Sequence, residues 1–152
     1  MLQNRLNWSK LRKDEGAAMV EFAIACSLLI MLVLGICEFG LIFYQKQVIT
    51  NASREAARYG VTYVTDANGV RLAPQNITTP YTITQVVTNY CTGRIATGSW
   101  STVVSGAGYA TGTQGSPIIV TVTSTNQMDL LSGFIPSLKN LSFTAQTTMN
   151  CE

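Results

Sequence analysis

Asp14-Glu15-Gly16-Ala17-Ala18-Met19-Val20-Glu21-Phe22, followed by an apolar run that extends to Tyr44, is the stretch whose reading decides the fold. Between Glu21 and the next charge, Glu38, every residue is uncharged, and across residues 17–44 only those two glutamates and Ser27 interrupt the apolar character. These 28 residues exceed the roughly 20 that a helix needs to cross a bilayer at about 1.5 Å per residue. A carboxylate inside such a segment is costly, so Glu21 is a functional candidate by default.

Charge is distributed unevenly around that run. Arg5, Lys10, Arg12 and Lys13 precede it against Asp14 and Glu15, whereas the chain from Ala17 onward holds six basic and six acidic residues. The positive-inside rule therefore keeps the amino terminus in the cytoplasm and exports the carboxyl-terminal body. A neutral body without a basic run offers no footprint for nucleic acid. Histidine is absent among the 152 residues, which removes the commonest general base and metal ligand. No carboxylate pair, nucleophile with base, or metal cluster stands out in the exported part. The sequence therefore predicts no enzyme, no cofactor and no metal site.

Three readings of the amino-terminal segment compete. A secretory signal has an apolar stretch of about 7 to 15 residues followed by a small-residue cleavage site; this run is longer and lacks such a site. Ile24-Ala25-Cys26 loosely resembles a lipid-modified cysteine motif, but the required apolar stretch in front of it is replaced by Glu21 and the basic leader. In the third reading cleavage precedes the apolar segment, between Gly16 and Ala17, and Glu21 becomes the fifth residue of the mature chain. That arrangement resembles the type IV pilin and pseudopilin superfamily, in which a membrane leader peptidase cuts after the glycine. A new amino terminus is a cation in an apolar environment, and a carboxylate about one helical turn along neutralises it, within the chain or on a neighbour.

The resemblance narrows beyond the cut. Gly16-Ala17-Ala18-Met19-Val20-Glu21-Phe22-Ala23, then Leu34-Gly35-Ile36-Cys37-Glu38-Phe39-Gly40, then Asn51-Ala52-Ser53-Arg54-Glu55-Ala56-Ala57-Arg58-Tyr59-Gly60 resemble the TadE-like minor pseudopilins of tight-adherence (Tad, Flp-type) pilus systems. Cys26 and Cys37 fall outside that pattern. The resemblance implies a pilin-like α+β fold, a long amino-terminal transmembrane and amphipathic helix followed by a small antiparallel sheet. It also implies a single-pass protein of the bacterial inner membrane that takes part in pilus assembly, at initiation or at the tip, and in surface adherence. The implied partners are the prepilin peptidase, other pseudopilins, the major Flp-type pilin and the inner-membrane assembly platform. The alternative is an uncleaved, signal-anchored exported binding or adhesion domain.

The expected organisation is a leader over 1–16, a transmembrane helix over 17–44, an amphipathic continuation over 45–63 and a β-rich domain over 64–152. No proline precedes Pro74, so one helix is expected from Ala17 to about Tyr63, roughly 65 to 70 Å long. In its second half Val48, Ala52, Ala56 and Tyr59, with Ile49 and Tyr63, form an apolar stripe, while Gln45, Asn51, Arg54 and Arg58 face away. The stripe carries either the protein's own strand domain or other pilin helices. Glu38 is either an interface carboxylate wetted by headgroup water or a contact to a partner helix, with Gly35, Phe39 and Gly40 permitting close approach.

In the exported part Asp66-Ala67-Asn68-Gly69 reads as a turn, residues 74–80 as an irregular crossing, and residues 84–91 as a short helix capped by Thr82 or Thr84 with Val86, Val87 and Tyr90 inward. Residues 99–104, 117–124 and 141–150 read as strands, with Ile118, Val120 and Val122 on one face and Leu141, Phe143, Ala145 and Met149 on another. The Gly-rich segment 106–115 reads as a flexible hairpin connection, and residues 129–134 as a brief helical turn ending at Gly133. The alternation of the last strand carries Cys151 inward, and Cys91 ends a helix whose inner face meets the sheet, so a Cys91–Cys151 disulfide is expected. Closing that loop would contribute on the order of 4 kcal/mol.

Overall fold

The computed structural model describes residues 8–62, 64–95, 98–126, 136 and 140–152, with side chains given from Gly16 onward. Its elements are α1 (Trp8–Val61), a 3-10 turn (Pro74–Asn76), α2 (Ile83–Cys91), β1 (Ser99–Ser105), α3 (Ala107–Thr111), β2 (Pro117–Asn126) and β3 (Leu141–Asn150). This is the expected α+β arrangement, a long apolar helix followed by a small antiparallel sheet. Contacts divide the chain into two compact units, Met1–Cys37 and Glu38–Glu152.

Helix α1 starts earlier than expected and passes through Gly16 without a break. It stops where Thr62 turns its hydroxyl back toward the carbonyls of Tyr59 (2.6 Å) and Arg58 (3.2 Å), its one proton shared between terminal groups of the helix. Arg58 in the last turn complements the negative end of the helix dipole.

In the second unit the sheet runs β1-β2-β3, antiparallel throughout. Val122 pairs with Thr102 on one side and Ala145 on the other. Ile118, Val120 and Val122 of the central strand are wholly buried, as period-2 alternation requires when one face carries the core. Onto that core pack Val48, Ile49, Ala52, Ala56 and Ala57 of α1, together with Ile83, Val87 and Cys91 of α2. The α1 stripe thus carries its own domain. Gln45, expected to face away, is 4 % exposed, and Ser53 is fully buried with its hydroxyl 2.8 Å from that of Thr147. The domain covers a wider arc of the helix than the apolar residues alone mark out.

Helix α2 is closed at its start by a capping box: Thr82 accepts from the Gln85 amide (3.1 Å), and the Gln85 side chain accepts from the Thr82 amide (2.8 Å). Its buried face is Ile83, Val87 and Cys91, at i, i+4 and i+8; Val86 and Tyr90 are only half-buried. Asp66 organises the expected turn by accepting from the amides of Asn68 (2.9 Å) and Val70 (2.8 Å).

The Gly-rich segment joins the antiparallel strands β1 and β2 as expected, but it is not a flexible loop throughout. It holds the short helix α3, which begins at Gly106 (φ +103) and ends at Gly112 in the left-handed region (φ +66), so its glycines serve as helix boundaries. Gly108 is there for space: an added Cβ would stand 2.5 Å from the Ser116 carbonyl oxygen and 2.8 Å from the Cys151 sulfur. Gly108→Ala is expected to destabilise the domain by about 1–3 kcal/mol, read as a lower denaturation midpoint at unchanged slope. The turn expected over 129–134 lies outside the described residues, as does Tyr63.

Candidate assembly surface and thiol pair

Gly16, Ala17 and Glu21 are all exposed on α1. Around them Met19 is 76 % and Phe22 72 % exposed, and nothing lies within 4 Å of where a Gly16 side chain would start. Apolar side chains stay exposed along the helix as far as Ile36; Cys26, Met31 and Gly35 are half-covered. Such a surface is far beyond what a soluble monomer leaves bare, and it marks contact with membrane or with other chains. The helix is long and apolar enough to cross a membrane and is a candidate span. Ser27 returns its hydroxyl to the Ala23 carbonyl (2.8 Å), which satisfies it inside the helix.

Gly35, Glu38, Phe39 and Gly40 do not share one environment. Glu38 is only 8 % exposed and is the first residue of the folded unit, whereas Phe39 and Gly40 are exposed, with open space at Gly40. Glu38 therefore belongs to the folded unit's own buried surface, while Phe39 and Gly40 remain available to other molecules.

Residues 16–58 match the family model described as TadE-like protein. Over this stretch the chain is TadE-like. The match begins at the glycine of the expected cut, takes in Glu21, Gly35, Glu38, Phe39 and Gly40, and ends at Arg58 within the third quoted block. The match covers this segment of the chain, and the family it points to is that of Tad pilus systems. No curated protein and no solved structure matches the chain.

The last turns of the TadE-like segment carry an exposed ion pair, Arg58 to Glu55 at 2.9 Å. The Arg58 guanidinium holds the Glu55 carboxyl below its usual range, first by hydrogen bonding. A carboxyl shifted in this direction stabilises the fold above its unfolded pKa of about 4.3, and the contribution disappears as pH falls through the lower folded value. Beside the pair, Tyr59 donates to the Tyr81 carbonyl (2.9 Å), and Arg94 lies 4.4 Å over the Tyr90 ring.

The expected Cys91–Cys151 disulfide is not formed in the structure: both cysteines are free and buried. They belong to one core cluster, and the Cys151 thiol points at the Gly108 carbonyl (3.7 Å). Burial pushes the Cys91 thiol up, partly offset by nearby Arg94. A thiol so held is protonated and shielded, hence slow to react. In the reduced chain in detergent, a maleimide is expected to modify exposed Cys37 first and to reach Cys91 and Cys151 only when the domain is unfolded, as counted by mass.

Sequence reasoning missed a cleft of about 400 Å³ lined by Phe39, Ile42, Phe43, Lys46, Leu141 and Phe143. Its two halves lie about 100 residues apart in the chain, and only the pairing of β3 with the rest of the fold brings them together. The signal available in the sequence was the pair of phenylalanines at 39 and 43, one helical turn apart.

Proposed function

We propose that this TadE-like protein is a minor pseudopilin: cut between Gly16 and Ala17 by a prepilin peptidase, held in the bacterial inner membrane by α1, and used in pilus assembly at initiation or at the tip, in support of surface adherence. The observation that carries this reading is the exposed Gly16-Ala17 bond, followed by an exposed apolar helix with Glu21 at the fifth position after the cut. Glu21 neutralises the ammonium that cleavage creates. The amino terminus stays cytoplasmic and the sheet domain is exported. Its partners are other pseudopilins, the major Flp-type pilin and the assembly platform, and it catalyses no reaction.

On export, Cys91 and Cys151 join in a disulfide, giving two electrons and two protons to a thiol oxidant of that compartment. The intact mass under non-reducing conditions is then two hydrogens below that of the reduced chain; equal masses would remove this part of the reading.

The deciding experiment is the mass of the chain recovered from membranes of cells with and without the leader peptidase. The expected result is an amino terminus at Ala17 only when the peptidase is present. An amino terminus at Met1 in wild-type cells would replace this reading with the uncleaved anchor.

A further inference from the structure

We propose that the cleft between α1 and the start of β3 is a lipid site, so that Leu141 and Phe143 rest in the headgroup region of the bilayer crossed by α1. This rests on the reading of α1 as a membrane span. Counted from Ala17, roughly 20 residues fill the hydrocarbon core and reach about residue 37, and the polar interface occupies the next several residues. Phe39, Phe43 and Lys46 fall in or at the edge of that zone, where the phenylalanine rings can rest against the outer acyl carbons and the lysine stem can carry its ammonium to the headgroups.

The cleft fits an acyl chain better than a protein. Its wall exposes only apolar surface, and Phe43 is 72 % and Phe39 47 % exposed, so the apolar surface of the helix continues without a polar break into Leu141 and Phe143. The residues described around it, Phe39, Ile42, Phe43, Lys46, Leu141 and Phe143, form a patch far smaller than the about 20–30 residues per side of a stable protein interface. At its edge the Lys46 ammonium donates to the Thr144 carbonyl. An ammonium has three protons, and those left over suit the phosphate oxygens of an anionic lipid. Lipid bound here would seat the sheet domain against the membrane surface instead of leaving it on a free stalk.

The test uses the full chain in vesicles of phosphatidylcholine and phosphatidylglycerol whose acyl chains are brominated near the headgroup. Phe43→Trp reports the helix and Leu141→Trp reports the start of β3, each read as quenching beyond that of the unsubstituted chain. The expected result is that both are quenched to a similar extent, and that Lys46→Gln reduces the Leu141→Trp signal when phosphatidylglycerol is present. Quenching of Phe43→Trp without Leu141→Trp overturns the proposal and leaves the membrane span intact. Quenching of neither overturns both.

A measurement without substitution guards against a folding defect in Leu141→Trp. A phospholipid with a photoactivatable acyl chain should label peptides containing residues 39–43 and 141–143 of the unsubstituted chain. Label confined to residues 39–43 overturns the proposal. So does labelling of 141–143 that appears in vesicles but is absent in native membranes, where a protein partner would then be the occupant.

Discussion

Replacing Glu21 by alanine is expected to abolish filament assembly while leaving cleavage after Gly16, membrane insertion and the sheet domain unchanged. Glu21 is exposed on α1 and lies outside the folded unit Glu38–Glu152, so its loss removes no side chain from that unit's core. On the proposed reading, what it loses is the counter-charge to the ammonium that cleavage would create at Ala17. An unpaired charge in an apolar surround costs several kcal/mol, and each 1.4 kcal/mol is about a tenfold shift in an association equilibrium, so subunit docking should fall by two orders of magnitude or more. Glu21→Gln keeps the shape and removes the charge, and should fail to the same degree. The readouts are filament counts, the mass of the processed chain, and co-purification with other pilus subunits. Normal filaments in Glu21→Ala cells would remove the role assigned to this carboxylate.

The second large effect is expected from Ala56→Asp. Ala56 is fully buried on α1, in the core cluster that also holds Ala52, Ala57 and Ile118. A carboxylate placed there has no cation to pair with in that cluster, and burying it costs several kcal/mol against a total stability of about 5–15 kcal/mol for a domain of this kind. The cooperative unfolding of the unit Glu38–Glu152 should disappear, while the apolar stretch of α1 before Glu38, a candidate span, keeps its own composition. Arg54→Ala, two residues away on the exposed side, should change the midpoint little. A normal melt for Ala56→Asp would mean that the helix stripe does not carry the domain.

How far the fold was legible depended on whether a segment's own pattern settled its environment. Strand β3 was readable to its ends because Leu141, Phe143, Ala145 and Met149 alternate strictly with polar residues, and a one-residue slip would turn every one of them to water. Helix α2 was readable from Thr82 and Gln85, which close a local hydrogen-bonded loop. Its inward face was not, because Val86 and Ile83 are equally apolar and only the position of the sheet chooses between them. The Gly-rich segment misled for a related reason: glycine permits a flexible loop and equally permits the positive φ of helix boundaries, and the packing around Gly108, where an added Cβ would stand 2.5 Å from the Ser116 carbonyl oxygen, decides which. Gln45 and Ser53 went unrecognised as buried, since Ser53 finds its partner, Thr147, 94 residues away.

By itself the sequence determined the long helix, its fitness to cross a membrane, the placement of Glu21 after Gly16 and the TadE-like character of residues 16–58. These are properties of one continuous segment, fixed by composition and by spacing at 1.5 Å per residue. Only the tertiary structure decided that the folded unit begins at Glu38, that the helix stripe closes onto its own sheet, and that Phe39 and Phe43 meet Leu141 and Phe143 in one cleft. Those depend on contacts between residues about 100 positions apart. Local periodicity can say that each side chain will be covered, and only the packed chain can say by what.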